Sequence, residues 1–146
     1  RHSASHQSGR DVDLAFCYRK PNGNPANPPG YVPLDRHGRA RHLGLEIDPA
    51  ATWTQIESAL AFEQAPVQHI FISRGLQKIL LDYAQKSKVD PGIYARAKSI
   101  MAQPRGAEPH NDHIHIRISC PPSSGDQCTD RTRFKGGNQF HEAPPD

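Results

Sequence analysis

Hydrophobic and polar residues alternate in two segments near opposite ends of the chain. The apolar positions are Val12, Leu14 and Phe16 in residues 11–18, and Ile114, Ile116 and Ile118 in residues 113–118. Strict alternation of this kind is typical of a half-buried β-strand. We expect the two strands to lie in one small antiparallel sheet, with these apolar faces forming the core and the polar side chains on the opposite face.

Apolar residues at helical spacing predict three helices packed around this sheet. The expected helices cover about residues 53–64, residues 74–86, and a stretch that opens at Asp90-Pro91 and ends by Pro104 and Gly106. Asp48 and Thr52 offer N-cap chemistry before the first of them. Residues 67–72 predict a further buried strand. The pattern as a whole predicts an α+β fold.

Two segments lack periodic apolar positions and predict long loops. Residues 19–42 are rich in proline and glycine, and residues 121–146 carry almost no apolar pattern. A loop as long as the first is either functional or a disordered insertion, and the sequence leaves both readings open. With 146 residues, the chain has the length of a single domain, residues 1–146.

Composition and charge exclude some classes of protein. No apolar run approaches the ~18 residues of a membrane span, so we expect none. The formal net charge of +3 is too weakly basic for a typical nucleic-acid partner or nuclease. The count of 9 histidines is unusual for this length and draws attention to where they lie.

The cysteines bear on the cellular compartment. Cys120 and Cys128 are separated by a turn-rich segment that can close a small disulfide loop, which leaves Cys17 unpaired. A disulfide here implies an oxidising compartment. The alternative is three free thiols in a cytosolic protein.

The histidines suggest a metal site. His6 precedes Asp13 by seven positions, and His110, His113 and His115 cluster around the second alternating strand. Zinc hydrolases use three N or O ligands and leave one position for water. His6, Asp13 and one member of the later cluster provide such a set, and a neighbouring imidazole can move the proton of the water. The alternative is a set of solvated histidines on a polar sheet face.

These segments resemble a known family of enzymes. The pattern H-x(6)-D followed by a distant H-x-H is typical of a broad metallopeptidase group that includes lysostaphin-type endopeptidases, D-alanyl-D-alanine peptidases and the hedgehog domain. The blocks SHQSGRDVDLAF at 5–16, HIFIS at 69–73 and HNDHIHIRISCPPSSGDQC at 110–128 narrow the resemblance. They are similar to the penicillin-insensitive murein endopeptidases.

The resemblance implies a role for each residue of the site. His6, Asp13 and His115 would hold one catalytic Zn²⁺, His113 would be the catalytic histidine, and His110 would support it or the substrate. The enzyme would be bacterial, periplasmic or secreted, and would hydrolyse the peptide cross-links of peptidoglycan by a route that beta-lactams do not block. The chain departs from the family at Ser3, where relatives carry another histidine.

The remaining candidates are weaker. Asp35, His37 and His42 lie in the basic loop segment LDRHGRARH at 34–42, which predicts at most a second, weak metal site. His69 is expected in the core or at a strand edge, and His141 is expected in solvent. The four arginines of interest either meet carboxylates of peptide stems or form a solvated basic face; they are Arg36, Arg39, Arg41 and Arg117.

A second function from a different class also fits these residues. A cell-wall binding module that retains the metal without turnover would carry the same ligands, as the hedgehog resemblance implies. The presence of His110 and His113 beside the ligands favours the enzyme. Zinc content together with cleavage of cross-linked peptides distinguishes the two.

Overall fold

The computed structural model describes residues 9–128 and residue 130. Its helices are α1 (Pro49–Ala61), α2 (Arg74–Lys86) and α3 (Pro91–Ile100). Its strands are β1 (Asp11–Ala15), β2 (Tyr18–Arg19), β3 (Pro25–Ala26), β4 (Arg39–Ala40), β5 (Leu45–Ile47), β6 (Val67–Phe71), β7 (Met101–Ala102) and β8 (His113–Ile118). None of the described helices has the length and apolarity that a bilayer span requires. The α+β class is confirmed.

One sheet contains both of the alternating strands. Its order is β1-β8-β6-β7, in which β1 and β6 run antiparallel to β8 and β7 runs parallel to β6. In the ladder between β1 and β8, Asp13 lies opposite His115 and Leu14 lies opposite Ile114. Because side chains alternate along a strand, the acidic residues of β1 share a face of the sheet with the histidines of β8. The predicted pairing is confirmed.

On the opposite face of this sheet, only some of the apolar residues predicted to form the core are buried. Phe16, Ile114 and Ile116 are buried, whereas Leu14 and Ile118 are partly buried. The prediction for Val12 is wrong, because its side chain is 46% exposed. Val12 belongs to the edge strand and lines an open apolar groove together with Phe62, the residue that follows the end of α1.

The first helix begins earlier and ends earlier than the sequence predicts. The carboxylate of Asp48 accepts a hydrogen bond of 3.0 Å from the backbone N–H of Ala51, and Pro49 takes the first helical position. Thr52 therefore lies inside α1 and does not cap it; its hydroxyl group donates a hydrogen bond of 3.4 Å to the Cys17 carbonyl.

The other two helices follow the sequence more closely. α2 covers the predicted residues 74–86. α3 begins after Asp90, whose carboxylate caps the backbone N–H of Ile93 at 2.9 Å. The helix ends at Ile100, before the predicted stop, because Met101 takes an extended conformation and pairs with Ile70 in the sheet.

The proline-rich segment is structured. Within residues 18–47, the strands β3-β2-β5-β4 form a second sheet. The sequence does not predict it, because strands of two or three residues are too short to show alternation. The hydroxyl of Tyr18 accepts a hydrogen bond of 3.0 Å from the N–H of Val32, and the N–H of Leu34 donates one of 2.8 Å to the carbonyl of Asn111. The reading as a disordered insertion is therefore wrong, and the segment lies against the chain just before β8.

The predicted disulfide is present. Cys120 and Cys128 are bonded, with their Cα atoms 5.7 Å apart, and Cys17 is a free, half-buried thiol. The bond closes a loop that starts two residues after β8.

Residues 131–146, with the predicted solvated His141, lie outside the described residues.

Candidate metal centre

Two strands and one turn bring histidine and carboxylate side chains together. His113 and His115 alternate with buried isoleucines along β8, and Asp13 lies opposite His115 on β1. His110 precedes β8, where its carbonyl accepts a hydrogen bond of 2.8 Å from the N–H of Ser73 at the start of α2. We refer to Asp13, His110, His113 and His115 as the histidine site.

The donor atoms of the histidine site converge. One ring nitrogen from each of His110, His113 and His115 lies within 4.8 Å of the others. The Oδ1 atom of Asp13 is 3.5 Å from Nδ1 of His115 and 3.7 Å from Nε2 of His113. His115 is only 6% exposed and His110 only 9%. The reading of these residues as solvated histidines on a polar surface is therefore wrong.

In each of the three histidines, the ring nitrogen that points away from the histidine site lies within hydrogen-bond distance of an acceptor oxygen. Nε2 of His115 contacts Oδ1 of Asp11 at 2.6 Å, and Nδ1 of His113 contacts Oδ1 of Asp112 at 2.5 Å. Nδ1 of His110 lies 3.1 Å from Oε1 of Gln103. A neutral imidazole carries one N–H, so a hydrogen bond donated to an acceptor at one nitrogen leaves the lone pair on the other. The three lone pairs are thereby directed into the histidine site.

Two aromatic rings enclose the site. The Phe71 ring meets the His115 ring edge to face at 5.3 Å between centroids, and it lies 5.7 Å from the His110 ring. From the proline-rich segment, Tyr31 stacks on His113 at 5.3 Å, and its hydroxyl donates a hydrogen bond of 3.3 Å to the carbonyl of Asp13. The inner wall is therefore apolar and the outer wall is a half-exposed tyrosine.

Burial and neighbouring charges set the protonation of two groups. Burial, followed by the proximity of His113 and His115, lowers the pKa of His110 from 6.5 to about 4. Burial by itself raises the pKa of Asp11, but the hydrogen bonds from His115 and Arg117 outweigh it and the pKa is lowered. His110 is accordingly neutral and Asp11 ionised near neutral pH.

The donor set fits a bound metal ion. Zinc binds imidazole nitrogen and carboxylate oxygen at about 2.0–2.2 Å, so two ligands in a tetrahedral site lie roughly 3.4 Å apart. The separation of 3.5 Å between Nδ1 of His115 and Oδ1 of Asp13 matches this spacing. Imidazole nitrogen donors suit zinc, copper, iron and nickel, and zinc also accepts a carboxylate oxygen.

The structure brings some of the predicted residues together and not others. His6 lies outside the described residues. Within the described part of the chain, His110, His113 and His115 form the one group of three or more candidate ligands. Asp35 instead accepts hydrogen bonds from the backbone N–H groups of His37 and Arg39. The weak second metal site predicted in that loop is therefore not formed.

Arg117 does not belong to a basic surface. Its side chain is 5% exposed, and Nε donates a hydrogen bond of 2.9 Å to Oδ1 of Asp11. The prediction that it meets peptide carboxylates or solvent is wrong, because Asp11 and the Phe71 ring enclose its guanidinium group. His69 lies two positions before Phe71 on β6 and stacks on it at 5.4 Å between ring centroids, and burial lowers the pKa of His69. His69 is partly buried on the inner strand β6, rather than in the core or at a strand edge as the sequence predicts.

Sequence reasoning missed the residues that support the site. They are Asp11, Tyr31, Phe71, Gln103 and Asp112. A signal existed for Asp11, which lies two positions before Asp13 and therefore on the same face of β1. Gln103 and Tyr31 lie in segments outside the helices and strands, which carry no periodic signal.

The comparisons with known proteins agree with this geometry. The family model for penicillin-insensitive murein endopeptidases matches residues 1–143. Searches among curated proteins and among solved structures found no match. The matched region includes every residue of the histidine site, His6 and the disulfide. From this match, the chain belongs to the penicillin-insensitive murein endopeptidase family, a family of peptidases that act on peptidoglycan.

Proposed function

We propose that this chain is a zinc-dependent endopeptidase that hydrolyses peptide cross-links of bacterial peptidoglycan, in the periplasm or after secretion. Residues 1–146 act as a single metallopeptidase domain. The observation that carries the proposal is the convergence of the Asp13 carboxylate and three histidine nitrogens on one face of the sheet. The family match supplies the substrate class, and the disulfide supports an oxidising compartment.

His6, Asp13 and His115 are the proposed ligands of one zinc ion. When bound, zinc polarises the scissile carbonyl group and lowers the pKa of water. Asp13 and His115 come from adjacent strands that pair in register, so the backbone ladder fixes the distance between their side chains. This arrangement holds the two ligands in place before the metal arrives.

His113 is the proposed proton carrier. Asp112 holds its Nδ1–H, so the Nε2 lone pair faces the histidine site, and the side chain is 21% exposed and within reach of a substrate. His113 takes the proton from the attacking water and delivers it to the nitrogen of the leaving amine. Asp112 stabilises the charged imidazole between these two transfers.

His110 supports this chemistry as a neutral group. With its pKa lowered to about 4, its imidazole stays unprotonated at neutral pH. Gln103 holds its Nδ1–H, so Nε2 remains an acceptor. That acceptor orients the attacking water or an N–H group of the substrate.

Zinc analysis and an assay on purified muropeptide dimers test the proposal. We expect one zinc ion per chain and the release of new amino groups from the dimers. His42→Ala provides the matched control, because His42 is an exposed histidine outside the histidine site. Zinc binding without any cleavage would instead support a metal-retaining cell-wall binding module, and cleavage by a zinc-free protein would exclude the metal mechanism.

A further inference from the structure

We infer that Asp11 is a positioning residue that holds His115 in the orientation and tautomer required of a metal ligand, with Arg117 keeping Asp11 in place. The inference rests on the proposed function, in which His115 binds zinc. It adds a buried chain of three side chains behind that ligand.

The fold places the three residues side by side. In the pairing of β1 with β8, Asp11 lies opposite Arg117 and Asp13 lies opposite His115. Alternation along the strands puts all four side chains on the same face. The carboxylate of Asp11 is fully buried, with 0% of its side chain exposed.

One oxygen atom of Asp11 links the other two side chains. Oδ1 lies 2.6 Å from Nε2 of His115 and accepts a hydrogen bond of 2.9 Å from Nε of Arg117. Because an ionised carboxylate only accepts hydrogen bonds, Nε2 of His115 must carry its proton. In the neutral imidazole, the form that binds a metal, the lone pair then lies on Nδ1, the nitrogen that is 3.5 Å from Oδ1 of Asp13.

Arg117 offsets the free-energy cost of burying the charged carboxylate of Asp11. A carboxylate taken out of water without a partner is strongly destabilising. The guanidinium group of Arg117, itself 5% exposed, neutralises the charge of Asp11 and lies over the Phe71 ring at 5.7 Å. The edge-to-face contact between Phe71 and His115 limits rotation of the imidazole from the other side.

The surrounding contacts separate the task of Asp11 from that of Asp112. Each carboxylate holds one histidine of β8, but only His115 is a proposed ligand, whereas His113 is the proposed proton carrier. Loss of an outer partner of a metal-binding histidine typically weakens metal affinity by about 10–100-fold. Asp11 and Asp112 therefore make a matched pair with different expected effects.

Metal affinity of four variants tests the inference. We expect Asp11→Ala to bind zinc about 10–100-fold more weakly than the wild type. Asp11→Asn keeps an acceptor oxygen and should show a smaller loss, whereas Asp112→Asn should bind zinc as tightly as the wild type. His115→Ala should lose zinc.

Nitrogen-detected NMR of the histidine rings in the metal-free protein supplies a readout independent of activity. We expect the wild type to hold His115 with the proton on Nε2, and Asp11→Ala to populate the Nδ1–H form. A merely structural role for Asp11 would lower stability without shifting this tautomer. If Asp11→Ala does not fold, Asp11→Asn decides, since wild-type zinc affinity in that variant would overturn the inference.

The outcomes separate this inference from the proposed function. Loss of zinc in His115→Ala with unchanged affinity in the Asp11 variants would overturn the role of Asp11 alone. Wild-type zinc affinity in His115→Ala would overturn the ligand assignment and the inference with it. Equal losses in Asp11→Asn and Asp112→Asn would contradict a specific role for Asp11.

Discussion

His115 and Asp13 face each other across β1 and β8, with Nδ1 of the histidine 3.5 Å from Oδ1 of the carboxylate. The pairing of the two strands alone brings these atoms to the spacing of two ligands of one metal ion. The residues are 102 positions apart in the sequence, yet the ladder gives them a separation that a flexible loop would not hold.

Replacement of a proposed zinc ligand should remove the metal, whereas replacement of the proposed proton carrier should remove activity and leave the metal bound. His115→Ala, Asp13→Ala and His6→Ala should each lose most of their bound zinc. His113→Ala should retain zinc but lose activity by about 10²–10⁴-fold, because a positioned proton-transfer group contributes that much. Zinc content by elemental analysis and initial rates on muropeptide dimers provide the comparison. If His113→Ala also released the metal, the roles of His113 and His115 would have to be exchanged.

The metal-free protein should lose stability in mild acid because of His110. Its pKa is 6.5 in the unfolded chain but about 4 when folded, so between these values the unfolded state takes up a proton that the folded state does not. The stabilisation is complete above the unfolded pKa and is lost as the pH falls toward the folded one. It is on the order of 3 kcal/mol.

Urea unfolding of the metal-free protein at several pH values measures this effect. His110→Gln should show a flatter dependence of the unfolding free energy on pH over this range than the wild type. His42→Gln, at an exposed histidine, is the control and should follow the wild type. Identical slopes in the wild type and His110→Gln would show that His110 is not the responsible group.

The sequence predicts the members of the histidine site that lie on the two alternating strands, and His110 just before the second of them. The alternation in residues 113–118 indicates which side chains share a face of that strand. The H-x(6)-D and H-x-H motifs together indicate that Asp13 lies near the histidines of that face. Periodicity does not indicate which residues of other strands pack on that face. His115 and Arg117 are buried because Phe71 of β6 and Asp11 of β1 pack against them.

The parts of the fold that could not be predicted depend on contacts distant in sequence. The short strands of residues 18–47 are stabilised by pairing and by the hydrogen bonds of Tyr18, which local propensity does not indicate. Val12 is exposed because β1 is an edge strand and the groove beside it is open to solvent. The sequence predicts too late a start for α1, because both Asp48 and Thr52 have side chains that can cap a helix, and the cap that forms is Asp48, next to the proline at the first helical position.

Tyr31 should contribute to turnover more than to metal binding. Its ring stacks on His113, and aromatic pairs contribute about 0.5–1.5 kcal/mol beyond burial. Because the stacked ring orients His113, Tyr31→Ala should lower kcat/KM by at most the roughly 2–10-fold that this energy corresponds to, with zinc content unchanged. Tyr31→Phe keeps the ring and should retain most of the activity. A loss of activity in Tyr31→Phe as large as in Tyr31→Ala would assign the effect to the hydroxyl group instead.

Reduction of the disulfide should weaken the site as well as the fold. The bond between Cys120 and Cys128 closes a loop beside the end of β8, and such a loop contributes about 2–3 kcal/mol in the chain-entropy model. Mild reduction should lower Tm and weaken zinc retention together, since β8 carries His115. Cys17→Ser should behave like the wild type in both. Unchanged zinc retention after complete reduction would separate the loop from the metal centre.

Beta-lactams should leave the activity intact, while chelators should abolish it and zinc should restore it. The chain contains no serine followed by lysine at the third position, the Ser-x-x-Lys motif of enzymes that penicillin acylates. Rates on muropeptide dimers with excess penicillin, and after dialysis against a chelator, check both expectations. Stoichiometric inhibition by penicillin would contradict a metal-dependent mechanism.

The pairing of β1 with β8 also sets when, during synthesis, the histidine site forms. Asp11 and His115 lie 104 positions apart, so a chain that emerges from its N-terminus exposes the acidic strand long before its histidine partner exists. Contacts between such distant residues form late and slowly in folding. A nascent or truncated chain without β8 therefore carries only half of the site. An enzyme directed against a cell wall would thus become active only after β8 has been synthesised and has paired with β1.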